Sequence, residues 1–308
     1  MSAAGAASIA VQVAGGVVLA LLLPGLVQSA KARLQGRRGP SPVQPYRELR
    51  RLWGKSAVEP EGTTAVYRLA PAVVAASLGA AILVVPVSDA GPGLGLGRDA
   101  FVLVGLLALA RFAVVVSSWD VANGFALMGA SRDLTFAVFA EAALVLALAV
   151  PALAAGTTDL ASVIAATAGA DAWSEPAAAL AALAFAIVVL AETGRQPVDN
   201  PDTHLELTMV HEGPLLEYAG RDLAYLLWAV GARHWLMLVL AAQVFLPHPA
   251  DPWAQLAVLP FGIALLCVAL AFVETLVVKM RILLVPRLIA IGAGAALLGI
   301  AAHLVGAS

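Results

Sequence analysis

Eight apolar stretches, most close to twenty residues long, limit what this chain can fold into more than any other feature of it. A helix crossing about 30 Å of hydrocarbon needs roughly 20 apolar residues. The stretches cover residues 9–27, 69–87, 100–117, 134–155, 177–192, 223–246, 256–278 and 282–304. The fifth is the shortest, and Pro176 stands where it would open a helix. A further piece at 160–170 is too short to cross and is expected to lie at the interface or pack on the outer surface. No alternation of apolar and polar residues suggests a barrel. The expected fold is an all-α integral membrane protein, residues 1–308 forming a single polytopic domain.

Composition agrees. Hydrophobic residues are 61% of the chain and charged residues 12%, against about 25% charged in soluble domains, so a water-facing surface cannot be covered. The formal charge of −2 is the wrong sign for a nucleic-acid binder. The single cysteine, Cys267, leaves no disulfide framework, cysteine zinc site or intrinsic iron–sulfur cluster. Nucleotide and hydrolase signatures such as GxxxxGK[ST], GxSxG and HExxH are absent.

Lys and Arg set the orientation. No basic residue precedes Lys31, so the first stretch is read as a span and not as a cleaved signal. If the amino terminus is outside, the inward segments hold 15 basic residues and the outward ones only Arg98, with Arg111 and Arg233 inside spans. Eight spans then leave both termini outside and the bulk of the charged loops cytoplasmic, which places the chain in the inner (cytoplasmic) membrane.

Two inward loops carry most of the information. In the first, over 28–68, Tyr46, Leu49, Leu52 and Trp53 share one helical face while Arg47, Arg50 and Arg51 lie elsewhere, the pattern of a helix lying on lipid. The second, 192–222, holds Glu192, Asp199, Asp202, Glu206, Glu212, Glu217 and Asp222 against Arg195 and Arg221. His204 and His211 would share a face of a helix in this loop, but no third ligand has a recognisable spacing, so a metal site is not expected. DNPD at 199–202 is a poor match to a paired-aspartate magnesium site. A solvated acidic loop that docks on a soluble partner fits better.

Charges within spans are costly, so each is a candidate functional group. Arg111 and Glu141 are expected at one depth, roughly 10 Å below the inner boundary at about 1.5 Å per residue, where they would pair. Arg233 and His234 stand near the middle of the sixth span. Glu274 and Arg287 are expected to snorkel to the interface.

Three separated strings, RLQGRRGPSPVQPYRELRRLWGK, WDVANGFALMGASRDLTFAVFAE and ETGRQPVDNPDTHLELTMVHEGPLLEY, resemble the respiratory complex I subunit 1 family in order and spacing. The resemblance covers roughly residues 10–305, and the DNPxTHLELTMxHE string looks like the branch found in formate hydrogenlyase and other energy-converting hydrogenases. It implies a membrane anchor without a redox centre. Such an anchor sits between a soluble hydrogenase-like arm, whose large and small subunits carry iron–sulfur clusters, and antiporter-like membrane subunits. It further implies that Arg37, Arg38, Gly39 and Pro40 belong to the docking loop. Glu141, Glu192, Asp199, Glu206 and Glu217 fall on family acids, and Arg195 on a family arginine.

On this reading Glu141, Glu192, Asp199, Glu206, Glu212, Glu217, Arg111, Arg195 and Arg233 are the candidate proton- or ion-coupling residues. Arg37, Arg38, Gly39, Pro40, Arg47, Arg50, Arg51, His204 and His211 are the candidate docking residues. No catalytic, cofactor-binding or metal-binding residue is assigned to the chain, and lipid is its other partner. Quinone-using members of the family have a Tyr-His pair and a shorter run before the final Glu-Tyr; here Val210 precedes His211 and Gly213–Leu216 lengthens the run. Those residues are expected to close the quinone space and pack on the soluble arm. The alternatives are a quinone-site subunit of an NADH dehydrogenase-type complex and a self-standing transporter or membrane transferase.

Overall fold

The computed structural model describes residues 2–91, 97–169, 175–200 and 210–306. These form helices α1 (Ala3–Val17), α2 (Leu22–Leu34), α3 (Gln44–Trp53), α4 (Ala65–Val84), α5 (Ala100–Val121), α6 (Gly124–Ala155), α7 (Leu160–Ala166), α8 (Pro176–Glu192), α9 (Gly220–Val244), α10 (Pro252–Leu276) and α11 (Val285–Gly306). Helices α4, α5, α6, α9, α10 and the segment Ile282–Gly306 are each long and apolar enough to cross a bilayer. A seventh candidate is the α1–α2 pair, bent by 50°, while α8, with 17 residues, is shorter than the rest.

Neighbours pack in the order α11, α8, α6, α5, α4, α9, with α10 and α2 closing the far side. Helix α9 is the most enclosed of the long helices and α10 and α11 the least. One end of the bundle gathers the α2–α4, α5–α6, α8–α9 and α10–α11 connections. There Met280 N–H donates to the Pro197 carbonyl at 2.9 Å, and Asn123 Nδ2 donates to Glu217 at 2.7 Å. The other end ties the remaining connections, through an Asp99–Asp159 bridge, the Ser8–Ser88 hydroxyl pair at 2.9 Å and Gly169 N–H on the His248 carbonyl.

Two boundaries differ from the sequence reading. The first span is not one helix over 9–27. Pro24, in the first turn of α2, has no N–H for the Ala20 carbonyl and its ring crowds that group, so the helix breaks. Trp228 Nε1 donates to the freed Val17 carbonyl at 3.0 Å, and the Tyr46 hydroxyl donates to the Val18 carbonyl. Close packing holds α1 in place: a Cβ on Gly15 would lie 2.1 Å from the Trp235 ring and one on Gly16 2.5 Å from Ile82.

The fourth span begins ten residues earlier than expected, at Gly124. Asn123 caps it by accepting from Phe125 N–H at 2.8 Å, so most of the stretch 118–133 between the expected third and fourth spans is helix. The short piece at 160–166 packs on α6 and α9, with Leu160, Ala161, Val163 and Ile164 buried.

Candidate functional site

The charged end of the bundle holds a buried ionic cluster built from six helices and two loops. Helix α5 contributes Arg111, only 4% exposed, from the interior of the bundle. Its guanidinium reaches three acids: Nη2 lies 2.8 Å from Glu192, Nη1 3.1 Å from Glu141 and Nε 3.6 Å from Asp133. Glu192, the last residue of α8, uses its second oxygen to accept from Arg233 Nη1 of α9 at 3.0 Å. One carboxylate thus lies between two guanidinium groups, the compensation a buried charge needs.

The turn after α8 carries the cluster into the loop. Gly194 takes a left-handed conformation (φ +61), and Arg195 N–H donates back to the Leu190 carbonyl at 2.9 Å, closing the helix in a Schellman motif. That turn aims Arg195 at Glu274 of α10, 3.0 Å away, and Lys31 of α2 stands 3.3 Å from the other Glu274 oxygen. Asp199 follows. It accepts from the backbone N–H groups of Asn200, Val210 and His211 at 2.8–3.3 Å and from Lys279 Nζ at 3.0 Å. His211 Nδ1 lies 3.4 Å from Asp199, and its Nε2 lies 3.7 Å from Asp133.

Charge shifts in the loop follow from these contacts. Burial opposes the charged form of Asp199, but the bond from His211 and the ammonium of Lys279 outweigh it, and the carboxyl is held well below its usual range. Burial likewise works against protonated His211, yet Asp199 and Asp133 prevail and its pKa is raised. Beside the cluster Tyr218 stacks on Tyr67, ring centroids 4.4 Å apart. Burial pushes the Tyr218 phenol up to about 12, so it stays a donor, to the Tyr67 carbonyl at 3.0 Å. The Tyr67 hydroxyl donates to the Glu217 carbonyl at 2.8 Å.

Between these groups lies a cavity of about 170 Å³, with Arg111, Asp133, Glu192, His211 and Arg233 in its wall and Val74 and Leu78 on its apolar side. Drug-sized ligands occupy roughly 300–1,000 Å³. At about 30 Å³ per molecule, the space suits a handful of waters.

The structure therefore brings together Arg111, Glu141, Glu192, Arg233, Asp199 and Arg195 of the candidate coupling residues. Glu212 lines the same cavity. Glu217 stands apart, its carboxylate held by Asn123. Glu206 and His204 lie outside the described residues. Among the candidate docking residues, Arg37, Arg38, Gly39, Pro40, Arg47, Arg50 and Arg51 are exposed.

His211 turns its ring to Asp199 and Asp133. Glu274 is a correction. It does not snorkel but is 3% exposed, because Arg195 and Lys31 converge on it and make burial tolerable. Arg287 is exposed. The turn Gly213–Leu215 packs on α6 of the same chain, where a Cβ on Gly129 would meet Pro214 at 2.7 Å.

Sequence reasoning missed Asp133, Lys31 and Lys279. The signal for Asp133 was its spacing of eight from Glu141, which puts both near one face only once α6 is known to begin at Gly124. Among the described residues no three His, Cys, Asp or Glu side chains gather as metal ligands.

A family model for NADH dehydrogenase matches residues 7–302, nearly the whole chain and all of this cluster. The chain belongs to the NADH dehydrogenase subunit 1 family. Within that family it is 34% identical to hydrogenase-4 component C of Escherichia coli (strain K12) over 263 residues, covering 83% of this chain and 82% of that protein. It is also 34% identical to formate hydrogenlyase subunit 4 of the same organism over 267 residues, 84% and 82% of the two chains. A membrane-family relative from the NADH-quinone oxidoreductase of Geobacillus kaustophilus (strain HTA426) is 29% identical over 245 residues, 76% and 72% of the two. Among solved structures, a chain of the membrane-bound sulfane sulfur reductase, an archaeal respiratory membrane complex, superposes with a TM-score of 0.81. It covers 97% of this chain and 100% of its own at 20% identity, a likeness of fold. Membership makes this a multi-pass membrane protein and gives the long apolar helices their setting.

Proposed function

We propose that this chain is the membrane anchor and coupling subunit, without a redox centre, of a hydrogenase-like, ion-translocating oxidoreductase complex. It links electron transfer in a soluble arm to proton or sodium movement. The observation that carries this reading is the continuous ionic cluster from Lys279 and Asp199 in the loops, through His211 and Asp133, to Arg111, Glu192 and Glu141 within the bundle. Buried ion pairs contribute little to net stability compared with apolar packing of the same volume, so a cluster this large is explained better by function. The 34% identity to formate hydrogenlyase subunit 4 and hydrogenase-4 component C supports the choice of branch.

In this reading the chain crosses the membrane eight times, α1–α2 and α8 each counting as a span, with both termini outside. The exposed arginines of 33–51 and the acidic loop face a soluble arm holding iron–sulfur clusters, and antiporter-like subunits pack beside the bundle. The quinone-site reading rests on relatives such as the NADH-quinone oxidoreductase chain of Geobacillus kaustophilus; the small charged cavity speaks for a chain that takes no quinone.

The test is to purify the assembled complex carrying Glu141→Gln or Glu192→Gln and reconstitute it in vesicles. Electron transfer should persist while ion movement falls at least about tenfold, a change of about 1.4 kcal/mol in barrier. Unchanged ion movement in both variants would refute the coupling role, and inhibition of the native complex by a quinone-site inhibitor would favour the other reading.

A further inference from the structure

The ionic cluster is two lobes joined at one side chain. The loop lobe is Asp199 with Lys279; the membrane lobe is Asp133, Arg111, Glu192, Glu141 and Arg233. His211 stands between them, Nδ1 3.4 Å from Asp199 Oδ2 and Nε2 3.7 Å from Asp133 Oδ1.

Its place is built. The ring lies against the bare Cα of Gly194, where a Cβ would come within 2.8 Å of Nδ1. Its own backbone N–H is held by Asp199 at 3.3 Å. About a quarter of the side chain is exposed, and the ring lines the water-sized cavity.

Imidazole is the side chain whose ordinary pKa lies nearest neutrality, and its two nitrogens can take and give protons on opposite sides. The charged groups around it are Arg111 from α5, Asp133 from α6, Glu192 from α8, Asp199 from the following loop, Arg233 from α9 and Lys279 after α10, with Glu212 next in the chain. The two guanidinium groups stay charged and cannot carry a proton from one carboxylate to the other.

We propose that His211 is the relay through which a proton passes between the Asp199 lobe and the Asp133 lobe. The ring, as imidazolium between its two carboxylates, releases the Nε2 proton to Asp133, and the neutral ring regains a proton from water in the cavity on the Asp199 side. One proton moves, no electron does, and ring rotation or tautomer exchange resets the ring. This rests on the coupling role proposed above and assigns the step to a named residue that no metal or redox centre need assist.

The experiment compares His211→Gln with Glu192→Gln in the assembled complex reconstituted in vesicles, measuring both electron transfer and ion movement. His211→Gln keeps a hydrogen-bonding amide but cannot be protonated. It should leave electron transfer within about twofold and reduce ion movement at least about tenfold, as Glu192→Gln does. If Glu192→Gln loses ion movement and His211→Gln keeps it, the relay is wrong and the coupling role stands. If both keep it, the coupling role itself fails.

A second variant guards against failed assembly. Asp133→Asn keeps His211 and removes the carboxylate that receives its proton, so ion movement should fall at least about tenfold while electron transfer stays within about twofold. Unchanged ion movement in this variant, with electron transfer intact, would overturn the relay.

Discussion

Arg111 serves three carboxylates with one guanidinium, and this sharing decides what substitutions at the cluster do. Removing a buried cation leaves its partners as uncompensated charges, a loss of about 3–5 kcal/mol. Arg111→Gln should therefore lower stability by that order, read as thermal unfolding of the purified chain in detergent. Glu141→Gln should cost less, because its side chain is 27% exposed. The double variant should not recover the stability of the native chain. Glu192 and Asp133 still face the missing charge, whereas a simple two-residue pair would have been rescued.

His211 adds a pH dependence. A raised folded-state pKa means that its contribution is complete below the ordinary value of 6.5 and is lost as pH rises through the elevated one. Asp199, depressed, contributes fully above 3.8 and loses that only as pH falls through its lowered value. The melting temperature should thus decline on the alkaline side of 6.5, and His211→Gln should flatten that decline. An unchanged slope would mean that the histidine does not sense its two acids.

The helices were legible in the sequence to the extent that hydropathy alone fixes them. Long apolar runs located α4, α5, α9 and α10 closely, since an unpaired backbone has no alternative in lipid. Local chemistry decided the two boundaries that moved. Pro24 breaks the first span, and Asn123 starts α6 ten residues early; both residues were in view, but a hydropathy window averages over them. Side-chain partnerships were legible only where depth could be counted, as for Arg111 with Glu141. Glu274 with Arg195, or Asp133 with His211, join elements far apart in the chain, and no periodicity reports on such contacts. The close approach of α1 to α9 offers a test of packing. Gly15→Ala would place a methyl into the Trp235 ring, and overpacking of this kind costs about 1–3 kcal/mol. Gly105→Ala, with open space at its Cβ, should be neutral in the same melting assay.

For the molecule as a whole, the ends of the bundle differ in kind. One end is cross-linked by neutral hydrogen bonds and the Arg98–Asp159 pair; the other concentrates the ionic cluster, the basic loop and surface helix α3. In the proposed orientation the charged end faces the cytoplasm. Single cysteines at Ser2 and Ser56 in a Cys267→Ala background should then react with an impermeant thiol reagent from outside and inside respectively. Labelling of position 56 from outside intact cells would invert the orientation.

The broken first span has a consequence in time. The Val17 carbonyl receives its bond from Trp228, 211 residues later in the chain. At about 5–20 residues per second of synthesis, that donor emerges roughly 10–40 s after the helix that needs it. Until then a bare peptide oxygen sits at the bend, a burden of about 1–3 kcal/mol when kept from water. Tyr46, made within the next few seconds, closes the neighbouring carbonyl first. The broken first span therefore matures in two steps, and a chain stalled before Gly220 should expose it to proteases that leave the finished protein alone.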